Sequence, residues 1–151
     1  MAEIENKVTD YVREIIVIRK DLNMPKGKLM AMAAHLAMTF ITSRLKVDED
    51  TIDETGGELY GAFTPEQIKW LTQLEPGSET QLSFAKIVVE VWGETELWQV
   101  YDNAVSAGLE VHKLIDSGYS HNKPGTFVGI AIGPDYPDKL NPVTGELQLY
   151  R

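Results

Sequence analysis

The chain has 151 residues, of which 43% are hydrophobic and 25% charged, proportions that fit one compact domain and exclude a disordered chain or a coiled coil. It contains no cysteine, which excludes disulfides, thiolate zinc sites and cysteine nucleophiles together. The formal net charge of -9 argues at first against a polyanionic partner, but the charge is unevenly spread along the chain.

Residues 1–12 are polar and mixed, enough for one helical turn and no motif. Their acidic start, Met1-Ala2-Glu3-Ile4-Glu5, is the opposite of a basic secretory leader, so a soluble cytoplasmic protein is expected. Glu14-Ile15-Ile16-Val17-Ile18-Arg19 is a short apolar, β-branched run and predicts a buried strand. The loop from Lys20 to Lys26 follows, with Asn23 and Pro25 as helix-start signals. Arg19, Lys20, Lys26 and Lys28 crowd around it against Asp21 alone, which makes it a place where a polyanion can bind. Leu29 to Leu45 predicts a long helix rich in Ala, Met and Leu, apolar nearly all round and therefore well buried. Its most apolar part, Leu29 to Ile41, is interrupted by His35 and falls short of the ~20 residues a membrane span needs.

Residues 46–63 carry Asp48, Glu49, Asp50, Asp53, Glu54 and Glu58 and read as an irregular acidic insertion. With Glu66 the acidic run reaches seven residues before the next base, Lys69; the rest of the chain then holds 16 acids against 14 bases. A solvated loop that keeps the protein in solution is the plainer reading of the run, and an acidic flap mimicking a phosphate backbone the sharper one. Thr64-Pro65-Glu66-Gln67 is a capping box and predicts a short helix carrying Ile68, Leu71 and Leu74, ended by Pro76-Gly77-Ser78. Phe84 to Trp92 predicts a strand, Glu94 to Ala107 an amphipathic helix closed by Gly108, and Glu110 to Ile115 and Thr126 to Ile132 two further strands close enough to pair antiparallel. Asn141 to Gly145 reads as a turn before a last strand, Glu146 to Tyr150. Strands alternating with helices predict an α/β layer fold with a mixed sheet.

Signatures of phosphate loops, dinucleotide folds, zinc proteases and nucleophile elbows are missing, and His35, His112 and His121 stand in no metal-ligand spacing. Two segments remain. In Lys26-Gly27-Lys28-Leu29-Met30-Ala31-Met32-Ala33-Ala34-His35, helical spacing puts Lys28, Met32 and His35 on one face. A polar stripe on an apolar helix calls for partners, although a snorkelling Lys28 and a satisfied core His35 would also account for it. The second segment runs from Asp116 to Thr126 and packs a carboxylate, hydroxyls, an imidazole and an amide between two strands. Loops beyond strand ends are where α/β sheets collect ligands, although a polar turn capped by Asp116 is the plainer reading.

Together the segments resemble the archaeal and eukaryotic type of peptidyl-tRNA hydrolase, the type 2 family. The resemblance rests on Ile15–Arg19, Asp21-Leu22-Asn23-Met24-Pro25-Lys26-Gly27-Lys28, Ala33-Ala34-His35, Ala107-Gly108-Leu109, Asp116-Ser117-Gly118, Pro124-Gly125-Thr126, Ile132-Gly133-Pro134 and Val143-Thr144-Gly145, in that order. It spans residues 14–45 and 84–150. It implies a single three-layer α/β/α domain over 1–151, with a small mixed, mostly parallel sheet of about four strands and an acidic insertion at about 46–80. The implied activity is hydrolysis of the ester between a peptide and tRNA, without metal or cofactor. A homodimer is compatible with this reading; no residue pattern specifies it.

Carried over position by position, the implied catalytic residues are Lys28, His35, Asp116, Ser120 and Thr126. Arg19, Lys20, Lys26 and His121 are the candidates for holding substrate. The family commonly has glutamine where this chain has Met32, and Thr-Gln where it has Ser120-His121. Serine keeps the hydroxyl. Met32 removes an amide that could position Asp116 or substrate, and His121 is a candidate to replace part of it. Ester hydrolysis needs an activated water and a donor for the developing oxyanion. Asp116 suits the first task, by orienting or deprotonating water, and Lys28 the second. Arg19, Lys20 and Lys26 suit phosphate contacts, which give affinity without sequence readout. The rivals are a non-catalytic module binding RNA ends or a protein, and an enzyme for another small ester or nucleotide.

Overall fold

A computed structural model describes residues 11–118 and 121–151. Most of the polar start expected over residues 1–12, and Ser120, lie outside the described residues. The elements in chain order are β1 (Arg13–Arg19), α1 (Lys26–Thr42), β2 (Lys46–Asp53), β3 (Gly56–Tyr60), α2 (Pro65–Thr72), β4 (Lys86–Val91), α3 (Glu94–Ser106), β5 (Val111–Asp116), β6 (Thr126–Asp135) and α4 (Pro137–Thr144). Among the described residues, no helix is long and apolar enough to cross a membrane.

The main sheet has the order β4-β1-β6-β5. The α/β class and the four mixed strands are as the sequence predicts; the balance within the sheet is not. Instead of mostly parallel pairing, β1 and β4 are parallel, while β1–β6 and β5–β6 are antiparallel. The reason is loop length. Residues 117–125 join β5 to β6 directly, whereas a parallel neighbour needs a crossover of about a dozen residues or more.

Helices cover both faces. Along β1, Ile15 and Val17 join Val89, Leu97, Val100, Ile130 and Leu140 in one buried cluster, which α3 and α4 close. Ile16 and Ile18 point the other way, into a cluster with Leu36 and Ala37 of α1, Leu114 and Val128. This double burial explains why β1 reads as a continuous apolar run and shows no alternation. A third cluster, Val12, Phe40 and Trp70, seats α2.

Several elements depart from the sequence reading. Pro25 holds the N-cap position of α1 at φ -55° and ψ 149°, so the helix starts at Lys26, ahead of the expected Leu29. Helix α1 is also less enclosed than its composition suggests: Leu36, Ala37 and Phe40 are buried, whereas Met30 and Met38 are more than half exposed. Residues 46–60 are a β-hairpin, with Val47 opposite Leu59, and not an irregular loop. In α2 the Thr64–Gln67 capping box forms as expected, but Gln67 and Trp70 face inward while Ile68 and Leu74 are exposed. The Gln67 side chain accepts from the Thr64 backbone and donates to Glu110, which turns that edge of the helix toward the core. Finally, the expected turn at 141–145 is the end of α4. The expected last strand is a short bridge from Leu149 to Val89 along the free edge of β4.

The pairing directions place the C-terminal ends of β1, β4 and β5 along one edge of the sheet. The start of β6 lies there too, because Asp116 is paired with Thr126. The N-terminus of α1 opens on the same edge, since it follows β1 by a short loop.

Candidate active site

Lys28 sits in the first turn of α1, where Lys26 is its companion and no acidic residue is present. Cations are disfavoured at that end of a helix, because the peptide dipoles already place partial positive charge there. A local rule broken in this way needs a compensating partner. It is Asp116, at the end of β5: Lys28 Nζ lies 2.8 Å from Asp116 Oδ2, with both side chains about 90% buried at 11% and 8% exposure.

Further donors fix the carboxylate. The backbone N–H of Gly118 donates to Asp116 Oδ1 at 3.1 Å, and Asn122 Nδ2 donates to Oδ2 at 3.0 Å. The Lys28 hydrogen bond is the largest of these influences, followed by the Gly118 N–H; together with Asn122 they outweigh burial and hold the Asp116 carboxyl at about 2, from an ordinary 3.8. Asp116 is therefore ionised throughout the neutral range.

Two loops close over this pair. His121 Nε2 lies 2.8 Å from the Leu22 carbonyl oxygen, and Asn122 Nδ2 lies 3.4 Å from Met24 Sδ, so residues 121–122 are stitched to residues 22–24. Asn23 lies between those anchors at φ +48°, a conformation asparagine tolerates better than most residues. Beside the stitch is a polar cleft of about 460 Å³, bounded by Arg19, Glu94, His121, Asn122 and Thr126 among others. Asn122 thus faces the cleft and holds Asp116 at once. A larger and mostly apolar cavity, of about 800 Å³, is lined by Tyr11, Phe84, Ile87 and Pro137. It opens where β1 and β4 begin, about 20 Å along the strands from the Asp116 edge, and holds none of the candidate residues. The smaller, polar cleft is the one lined by candidate residues, Arg19, His121 and Thr126.

The structure brings some of the expected residues together and gives others different surroundings. Lys28 and Asp116 are in direct contact, and Thr126 stands across the β5–β6 pair from Asp116. The Thr126 hydroxyl donates to the Lys123 carbonyl at 2.6 Å. His35 is exposed and therefore is not a satisfied core histidine. Two helical turns, roughly 10 Å, separate it from Lys28. Arg19 is largely committed: its Nε and Nη2 donate to both oxygens of Asp21 at 3.0 and 2.8 Å, and Nη1 donates to the Phe127 carbonyl at 3.1 Å. Lys20 leans over the Tyr150 ring at 4.4 Å and lies 3.7 Å from Glu90, while Lys26 is exposed. Met32 packs against the apolar cluster that includes Leu22, Met24 and Leu29. Asn122 was not singled out by sequence reasoning. Its one signal was position: an amide six residues after an acidic residue, in a loop returning toward that residue's strand.

Among the described residues, no group of three or more His, Asp or Glu side chains is placed to hold a metal ion. The family described as peptidyl-tRNA hydrolase PTH2 matches residues 12–150. A peptidyl-tRNA hydrolase of Methanocaldococcus jannaschii is 30% identical over 138 residues, 91% of this chain and 99% of the other. Those of Thermoplasma acidophilum and Sulfurisphaera tokodaii are 31% and 33% identical over 135 residues, 89% of this chain and 95% of theirs.

Proposed function

This chain belongs to the peptidyl-tRNA hydrolase PTH2 family, a hydrolase of the ester between peptide and tRNA, and on that premise we propose that the Lys28–Asp116 pair is its reaction centre. One observation carries the proposal: a nearly buried ammonium–carboxylate contact of 2.8 Å at the mouth of a helix, beside a polar cleft.

The roles follow from charge and acidity. A carboxylate held at about 2 is a weak base, and general-base catalysis is most efficient when the base titrates near the working pH. Asp116 therefore orients the attacking water and anchors Lys28, and as the bond to the ribose breaks the water's proton passes to the departing 3′ oxygen of tRNA and does not stay on Asp116. The Lys28 ammonium faces the carbonyl oxygen as negative charge builds on it in the tetrahedral intermediate. The loop hydroxyls, Thr126 and with it Ser120, align water or the terminal ribose. An ester is already activated relative to an amide, which is why a full nucleophilic triad is not required. Lys26 and Lys20 hold the phosphates of the acceptor end, and His121 borders the cleft that receives it. His35 stays at the margin, where it meets substrate and not Asp116.

Lys28→Ala and Asp116→Asn should each lower turnover of a blocked aminoacyl-tRNA by ~10²-fold or more, the scale of losing one group that stabilises the transition state. Turnover close to wild type in both variants, with the fold intact by circular dichroism, would place the reaction elsewhere. The enzyme is proposed to work in the cytoplasm, where its substrate is made. Sedimentation velocity decides whether it does so as a homodimer.

A further inference from the structure

We infer that Asn122 is the positioning residue for Asp116, fixing which of its lone pairs is left to the reaction. The inference rests on the reading of Asp116 as part of the reaction centre, and it extends that reading to a residue whose own side chain need not touch the ester.

The argument is an accounting of donors and acceptors. An ionised carboxylate offers about four lone-pair directions. Among the described residues, Oδ2 receives Lys28 Nζ at 2.8 Å and Asn122 Nδ2 at 3.0 Å, so both of its directions are taken. Oδ1 receives the Gly118 N–H at 3.1 Å, which leaves one direction for a water or a substrate hydroxyl. Without the Asn122 amide, Oδ2 has a spare lone pair and the carboxylate can turn to share Lys28 between its oxygens. The two N–H groups of Asn122 are both used: one on Asp116, the other toward Met24 Sδ at 3.4 Å.

Asn122 is itself held still. It is 7% exposed, and its neighbour His121 is anchored to the Leu22 carbonyl. A buried amide turned toward an apolar core would cost free energy; here it is turned toward the Asp116 carboxylate. The helix offers no substitute, because position 32, one turn after Lys28, holds a methionine packed among apolar side chains. The amide that orients Asp116 in this chain therefore comes from the loop after β5 and not from α1. His121, the neighbour expected to supply that polarity, is spent on Leu22.

The test compares wild type, Asn122→Leu and Asn122→Asp on blocked aminoacyl-tRNA, with full pH profiles. Leucine keeps the volume and removes the donor; aspartate keeps the shape and sets a second carboxylate against Asp116. Misplacing a catalytic group typically costs 10- to 100-fold, so Asn122→Leu should lower kcat roughly 10-fold with KM unchanged. The acid limb of the kcat profile should move to higher pH in Asn122→Leu and further in Asn122→Asp, because like charges oppose ionisation. A purely structural role would reduce the folded fraction and leave the limb in place. Wild-type kcat with an unmoved limb in either folded variant overturns the inference, as does a change confined to KM, which would make Asn122 a substrate contact. An inactive wild type would instead defeat the proposed function, so the two failures are separable.

Discussion

At the scale of single residues, two carboxyl groups pull the protein's pH dependence in opposite directions. Glu14 is fully buried on β1, and neither of its carboxyl oxygens has a hydrogen-bond partner among the described residues. Burial raises its pKa to about 9 from 4.5, against the attraction of Lys86 on the neighbouring strand, so the folded protein carries it neutral at pH 7. A group with a raised folded pKa contributes stability that is complete below about pH 4.5 and is lost as pH rises toward about 9. Asp116 has the opposite sign: its contribution is present above about 3.8 and is lost as pH falls through about 2. Stability should therefore be greatest near pH 4–5 and decline toward alkaline pH. Glu14→Met removes the buried polar group and should flatten the decline, with a gain of roughly 1–3 kcal/mol at pH 8, the cost of one unsatisfied buried group. Urea unfolding at pH 5 and pH 8 checks both parts. An unchanged pH slope in the variant would mean that Glu14 is ionised in the fold.

At the scale of elements, legibility in the sequence follows the range of the forces involved. The strand at Ile15–Ile18, the capping box at Thr64–Gln67 and the helix ended by Gly108 are specified by neighbours within a few residues, and each was readable. The hairpin at 46–60 was missed because its register depends on cross-strand pairs, and its acidic composition resembles that of a loop. In the proposed site, Lys28 and Asp116 were readable as residue types in a recurring order; their contact was not, since they stand 88 positions apart in the chain and only the sheet topology closes the gap. Asn122 was missed for the same reason. The loop after β5 depends on Gly118, which sits at φ +83° with the space for a side chain filled: a Cβ there would fall 2.4 Å from the Pro124 nitrogen. Gly118→Ala must displace the backbone whose N–H holds Asp116 Oδ1. Strain of this kind costs roughly 1–3 kcal/mol. Turnover should fall about 10-fold, while the melting temperature drops only modestly because the core clusters are untouched. Stability lost with turnover preserved would argue that the loop does not shape the reaction.

At the scale of the whole molecule, a protein of net charge -9 acts on a tRNA-linked substrate, and if the basic loop holds it, as proposed, the conflict is met by separation of charge along α1. The acidic hairpin leaves from the C-terminal end of α1, and Lys26 and Lys28 stand at its N-terminal end. Lys28 to Thr42 spans about 20 Å of helix, more than twice the ~8 Å over which charge is screened at physiological salt. The base of the hairpin thus stands beyond screening range of Lys28 along α1. If Lys20 and Lys26 neutralise phosphates, binding should weaken with salt at a log–log slope of about -0.9 per duplex phosphate, nearer -0.7 on a single-stranded end. Lys20→Ala with Lys26→Ala should flatten that slope by roughly 1–2 units; the engagement of Lys20 with Glu90 and Tyr150 favours the lower figure. The hairpin can be shortened cleanly, because Lys46–Tyr60 and Val47–Leu59 remain paired when residues 48–58 are replaced by Asn-Gly, a two-residue turn suited to hairpins. That change removes six acidic residues and no basic ones. It should leave the slope unchanged, raising affinity several-fold at 20 mM salt and by less than about 2-fold at 150 mM, as screening requires. Fluorescence titrations with uncharged tRNA at both salt concentrations measure this. Binding lost with the shortened hairpin would make the hairpin part of the binding surface, and the separation of charge along α1 would not be what lets an acidic protein hold RNA.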